Sequence, residues 1–293
     1  MSLIYLKERI ITMKQEYKEK ITNHIIASLE QGNIPWISPF EKQIIPMNYL
    51  TKRTYQGINL LLLWVSAMQS GFTGNYWVGF RQACTLGGRV KKGEKGMPII
   101  VCCPSKRKMD NTDEEILTHY YKTDYVFNLY SQVEGIDFDT ATQCYGSIEE
   151  LDTLIDNIGA TIRHQGERAY YDFGKDFINM PFHSKFKTKE SYYQTLAHEL
   201  IHYTMKENRC NRKLDCDSDS DNSRALEELT AEIGSAFLLA EFGIKADLQN
   251  TTAYVQSWIK ALQDDVNFIF KASRHASEAV TYLLSFQQGK NVA

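Results

Sequence analysis

The stretch His198-Glu199-Leu200-Ile201-His202 narrows what this chain can fold into more than any other. Its H-E-x-x-H spacing acquires chemical sense on an α-helix, where residues four apart stand one turn apart on the same face. There the two imidazoles converge on one point. Neutral imidazole is a good zinc ligand, and Glu199 beside them is placed to take a proton from water. Two histidines rarely hold zinc alone. A second element must therefore pack against this helix and supply a third ligand.

The flanking residues support the helix. Thr188 offers an N-cap, Glu190 sits in the first turn, and Tyr193, Leu196, Leu200 and Ile201 carry the apolar face to Tyr203. Upstream, Arg168–Asp172 and Asp176–Met180 read as a hairpin turned at Phe173-Gly174-Lys175 and closed by Pro181. An edge strand ahead of a metal helix can pair with an extended peptide. Downstream, the acids of Cys210–Asn222 alternate, but Ser220 stands where a calcium loop needs glycine, so a solvated loop is expected. The next helix, Arg224–Glu241, carries Glu228 and Glu232 one turn apart. One such carboxylate can bind a metal while the other accepts a hydrogen bond from a ligating imidazole. Glu228 is assigned the first role and Glu232 the second, the reverse being the alternative; Glu227 is expected to face solvent. Zinc is the expected cofactor, with manganese, cobalt or nickel also suited to the donor set. Helices at Ile148–Gly159, Ala253–Leu262 and Asp265–Phe286 complete the second half.

The first half has a different chemistry. An amphipathic helix is expected over residues 3–31, followed by a connector in which Trp36 reads as a core anchor. Lys52, Arg53, Tyr55 and Asn59 lie in a loop that interleaves cations, aromatic rings and amides, the mixture that suits a nucleic-acid strand. Trp77, Arg81 and Gln82 follow the helix Leu60–Gln69, and Arg89, Lys91, Lys92 and Lys95 form a basic glycine loop before a strand at Pro98–Cys103. Lys106-Arg107-Lys108 reads as a loop tip, and Tyr120–Tyr130 as a strand. Residues 81–108 hold eight Lys or Arg against one acid, whereas 109–158 hold twelve acids against one base, which predicts a basic surface followed by an acidic stretch. A domain boundary is expected at 142/143.

Composition excludes little. The net charge is −3, and the six cysteines form no CxxC pair, so a reducing cytoplasm is the expected location. The longest apolar run, Ile58 to Ala67, is interrupted by Asn59 and Ser66 and is too short to span a membrane, so no membrane partner is expected.

Taken together, Tyr55-Gln56-Gly57-Ile58-Asn59, Val90-Lys91-Lys92-Gly93-Glu94-Lys95-Gly96, Ala169-Tyr170-Tyr171, Ile178-Asn179-Met180-Pro181, the His198 helix and Glu227-Glu228-Leu229-Thr230-Ala231-Glu232-Ile233-Gly234 resemble the ArdC family of antirestriction proteins. The resemblance covers nearly the whole chain. It implies an α+β protein: an N-terminal mixed α/β domain that binds single-stranded DNA, over 1–142, followed over 143–293 by a mainly helical, zincin-like (gluzincin-like) metallopeptidase domain with a small antiparallel sheet. It also implies carriage on plasmids or other mobile elements and protection of incoming DNA from host restriction. His198, His202 and Glu228 carry over as ligands and Glu199 as base. The Thr-Gly-His common in the family reads Thr204-Met205-Lys206 here. Two readings then compete: a metallopeptidase brought by DNA binding to a protein substrate such as a restriction-system component, or a DNA-binding protector whose metal site is structural.

Overall fold

The computed structural model describes residues 15–38, 44–108, 115–138, 146–212, 221–245 and 255–287. The start of the expected first helix (residues 3–14), the acidic run at 109–114 and the loop with Asp215, Asp217 and Asp219 lie outside them.

The first half is built around α2 (Ile58–Ser70), which is apolar on every side and ends on Gly71 in the left-handed conformation, φ 63°. A helix with no polar face has to be covered all round. On one side Leu63 and Ala67 meet Trp77, Ile99 and Val126 of a four-stranded sheet. On the other, Leu60, Leu61, Trp64 and Val65 enter the main core. The sheet takes the order β1 (Met47–Asn48), β2 (Tyr76–Gly79), β5 (Glu115–Asn128), β4 (Met97–Lys108), with β1 parallel to β2 and the other pairs antiparallel. A short α3 (Phe80–Thr85) follows β2, and β3 (Arg89–Val90) pairs with β6 (Val133–Glu134). Lys106-Arg107-Lys108 is no loop tip: these residues extend β4, paired in register with Leu117, Ile116 and Glu115.

β4 is an edge strand, and its edge is blunted. The Asn59 side chain donates to the Ile100 carbonyl at 2.7 Å and accepts from the Ile100 N–H at 2.7 Å. Ile100 therefore turns its backbone groups outward, and by alternation Pro98 and Pro104 do the same at positions that lack an N–H.

The second half is mainly helical: α4 (Ile148–Ile158), α5 (Lys189–Tyr203), α6 (Asp221–Glu241), α7 (Val255–Asp264) and α8 (Phe268–Leu284). Its small sheet has the order β7 (Ile162–His164), β9 (Phe177–Met180), β8 (Tyr170–Asp172). The expected antiparallel pair β8–β9 is present, and β7 joins β9 in parallel. One core unites residues on both sides of 142/143. α1 (Gln15–Glu30) and α2 pack with α7 and α8, Trp36 meets Trp258 edge-on at 5.2 Å, and Trp64 meets Phe237 at 5.9 Å. Trp36, 1% exposed, is the core anchor its position suggests.

Candidate metal centre and nucleic-acid groove

α5 is capped as its sequence predicts: Thr188 Oγ1 accepts from the Ser191 N–H at 3.1 Å, and Ser191 Oγ accepts from the Thr188 N–H at 3.3 Å. The helix buries Tyr192, Tyr193, Leu196, Leu200 and Ile201 and turns His198 and His202 toward α6. α6 comes close because Gly234 faces Ile201; a Cβ there would lie 2.9 Å from Ile201 Cδ1 and Cγ1.

The two Nε2 atoms face each other 3.1 Å apart. Glu228 reaches both, with Oε2 3.5 Å from His198 Nε2 and Oε1 3.8 Å from His202 Nε2. Among the described residues these three form the one group of His, Cys, Asp or Glu whose ligand atoms all lie within 4.8 Å of one another. The Nδ1 atoms point outward, His198 to Glu232 at 3.6 Å and His202 to Glu227 at 3.1 Å. A carboxylate beside each Nδ1 favours a proton there, so that Nε2 is the atom each ring turns inward to offer an ion. Two imidazoles and a carboxylate turned to one point are a donor set that fits a divalent cation.

Glu227 departs from expectation. It is 8% exposed and does not face solvent. Besides His202 it holds Arg212, itself 2% exposed, which donates from Nε at 3.1 Å and from Nη2 at 2.7 Å. Burial works against the Glu227 charge, but the hydrogen bonds from His202 and Arg212 outweigh it and hold the carboxyl at about 2. The same contest keeps Glu228 below the usual carboxylate range. Glu199 goes the other way. It is 7% exposed, and burial pushes its carboxyl up, opposed in part by the two histidines and the Tyr171 N–H. A raised carboxyl is the better proton acceptor.

A cleft of about 570 Å³ opens over these groups, lined on one side by Ala169, Tyr170 and Tyr171 of the hairpin and on the other by Arg224 and Ser235. β8 is an edge strand. Its turn is fastened to the end of α5: Asp176, at φ 57°, accepts from Arg209 Nη1 at 3.0 Å and Nη2 at 2.8 Å and from the Tyr171 hydroxyl at 2.7 Å. Arg209 also donates to the Tyr203 carbonyl at 2.6 Å.

The expected DNA-binding residues divide. Arg53, Tyr55, Arg81 and Gln82 line a groove of about 960 Å³ on the first-half sheet, together with Lys122 and the rings of Phe80 and Tyr125, which are 59% and 51% exposed. Gly96 lines it too, so the loop holding exposed Lys92 and Lys95 leads into it. Tyr55 accepts from Asn48 at 3.4 Å, and Gln82 accepts from Asn48 at 2.9 Å. Lys52 sits over the Tyr49 ring at 3.8 Å, Arg89 pairs with Glu134 at 2.7 Å and Lys91 donates to the Ser131 carbonyl at 2.7 Å. Two expectations are corrected. Trp77 is 1% exposed and packs against Phe72, so its indole offers no face to a base. Asn59 has both amide atoms committed to Ile100. Lys122 and Tyr125 escape sequence reading because only strand pairing brings β5 beside residues 40 or more positions earlier.

Comparison with known proteins yields consistent matches. The N-terminal domain of anti-restriction factor ArdC matches residues 15–127, and a zincin-like metallopeptidase matches residues 149–275. The fold is similar to the antirestriction protein ArdC of plasmid R388. Its metal-free crystal structure aligns with a TM-score of 0.80 at 38% identity, over 92% of this chain and 97% of that one. Its Mn(II)-bound structure aligns with a TM-score of 0.75 at 36% identity, over 94% and 99%. The chain is 33% identical to the DNA primase TraC of Escherichia coli over 94% of its own length and 28% of the primase, so it spans about a quarter of that relative. An uncharacterized protein of Sinorhizobium fredii, y4eC, is 29% identical over 90% of each chain. No helix among the described residues is long and apolar enough to cross a membrane.

Proposed function

Since the chain belongs to the ArdC family of antirestriction proteins, we propose that it binds incoming single-stranded DNA in the cytoplasm of a recipient cell and protects it from restriction through a metallopeptidase-type centre. The observation that carries this reading is the convergence of His198, His202 and Glu228, with ligand atoms within 4.8 Å of one another, beside the buried Glu199. These three would hold the ion, with Glu232 behind His198. Zinc is the metal proposed; the R388 relative has a Mn(II)-bound structure, and this donor set also accepts cobalt or nickel. When bound, the ion supplies a Lewis acid that polarises a peptide carbonyl and makes water more acidic.

The chain's own residues do the rest. The β8 edge pairs with an extended peptide from a restriction-system component and holds it across the cleft. Glu199 accepts a proton from water as it attacks and returns it to the leaving nitrogen. DNA lies in the groove of Arg53, Arg81 and Lys122, its bases against Phe80 and Tyr125.

The test is Glu199→Gln, assayed for protection against restriction alongside its metal content. The variant is expected to keep its metal and lose protection. Protection retained at unchanged metal content would make the protein a DNA-binding protector with a structural metal centre. Elemental analysis of protein purified without added metal identifies the ion.

A further inference from the structure

Arg212 lies ten residues beyond the second histidine, at the end of the described stretch that follows α5, where no sequence motif singles it out. It is nevertheless among the most buried side chains of the molecule. Its guanidinium is fully engaged with this region. Nη1 donates to Thr204 Oγ1 at 2.6 Å, Nη2 to the Ile201 carbonyl at 2.7 Å, and Nη2 and Nε grip the two oxygens of Glu227 at 2.7 and 3.1 Å. Glu227 Oε1 in turn lies 3.1 Å from His202 Nδ1. The contacts form one chain from the end of α5 through Arg212 and Glu227 back to the second histidine of the motif.

A buried arginine is costly unless its charge is paired and its N–H groups are hydrogen-bonded, and here every guanidinium nitrogen donates. Its planar fork suits holding a carboxylate in one orientation, which a lysine cannot do. We propose that Arg212 is a positioning residue of the metal centre: through Glu227 it fixes the plane and tautomer of His202, keeping the proton on Nδ1 and the lone pair on Nε2. At His198 the corresponding carboxylate, Glu232, stands farther off, 3.6 Å from Nδ1 against 3.1 Å at His202. The inference rests on the ligand set proposed above.

The experiment is a double-mutant cycle read by metal affinity, with zinc or manganese in competition with a chelator, and by thermal unfolding of the metal-stripped proteins. Glu227→Gln is expected to weaken binding by about 10- to 100-fold, the usual effect of losing such a partner. Arg212→Met should weaken it comparably in the wild-type background and add almost nothing to Glu227→Gln, because it acts through that carboxylate. Arg212→Lys, which keeps the charge and loses the fork, should fall between wild type and Arg212→Met; it also carries the cycle if Arg212→Met does not fold. A purely structural role predicts a lower unfolding temperature with unchanged affinity, or losses that add in full, and either result overturns the proposal. His198→Ala separates this from the ligand reading. If that reading is wrong, His198→Ala binds metal normally; if only the present inference is wrong, His198→Ala is defective while the Arg212 variants bind like wild type.

Discussion

At the scale of single residues, the centre is a contest between burial and charge, and His198 shows who wins. Burial disfavours its protonated ring, yet Glu228, Glu232 and Glu199 hold its pKa at about 9 in the metal-free protein. Below that pH the ring carries a proton that an entering ion must displace. Metal binding therefore releases a proton, and apparent affinity should climb roughly tenfold per pH unit as pH rises, levelling off above about 9. Chelator competition between pH 6.5 and 9.5 reads this directly; an affinity flat across that range would show that His198 is not held protonated there in the metal-free protein. The histidines and the Glu228–Glu232 pair are legible in the sequence because both rest on the four-residue helical repeat. Glu227 is not, since neighbours on a helix point about 100° apart and only one can face the ion. What buries it is Arg212, delivered by an irregular loop that carries no periodic signal.

At the scale of elements, the centre depends on how closely α6 lies against α5. That approach is set at Gly234, where an added Cβ would meet Ile201, itself fully buried. Gly234→Ala gains about 1 kcal/mol of helix propensity but overpacks the contact at a cost of about 1–3 kcal/mol. Because α6 carries Glu228 and Glu232, displacing it should weaken metal binding more than it lowers the unfolding temperature. Adding Ile201→Val, which removes the Cδ1 in the way, should restore part of both. Metal affinity unchanged in Gly234→Ala would show that the helices do not set the ligand spacing. The α5 cap and the β8–β9 hairpin can be read from local residues, because caps and tight turns are local chemistry. β7 cannot, because its parallel pairing with β9 spans a connection that leaves no mark on either strand. Trp77 and Asn59 mislead for a related reason: an aromatic or an amide has the same composition whether it meets a base, a core or a strand edge.

At the scale of the whole molecule, strand pairing brings part of the acidic run beside part of the basic run. β4 and β5 lie antiparallel, which sets residues of the acidic run beside those of the basic run: Lys108 opposite Glu115 and Ile99 opposite Asp124. Net charge along the chain therefore says less about the surface than the pairing does. What remains is a local groove in which Arg53, Arg81 and Lys122 supply positive charge, with Asp124 opposing, while Phe80 and Tyr125 supply exposed rings. Cations and rings should leave different signatures on binding. Each phosphate neutralised on a single strand adds about 0.7 to the slope of log affinity against log salt, so Arg53→Ala with Arg81→Ala should flatten that slope by about 1.4. Phe80→Ala and Tyr125→Ala should each cost about 1–3 kcal/mol of stacking and leave the slope alone. Titrating a fluorescent oligonucleotide at several salt concentrations separates the two. A slope insensitive to the groove arginines but flattened by Lys92→Ala with Lys95→Ala would move the phosphate path from the groove to the glycine loop at its mouth.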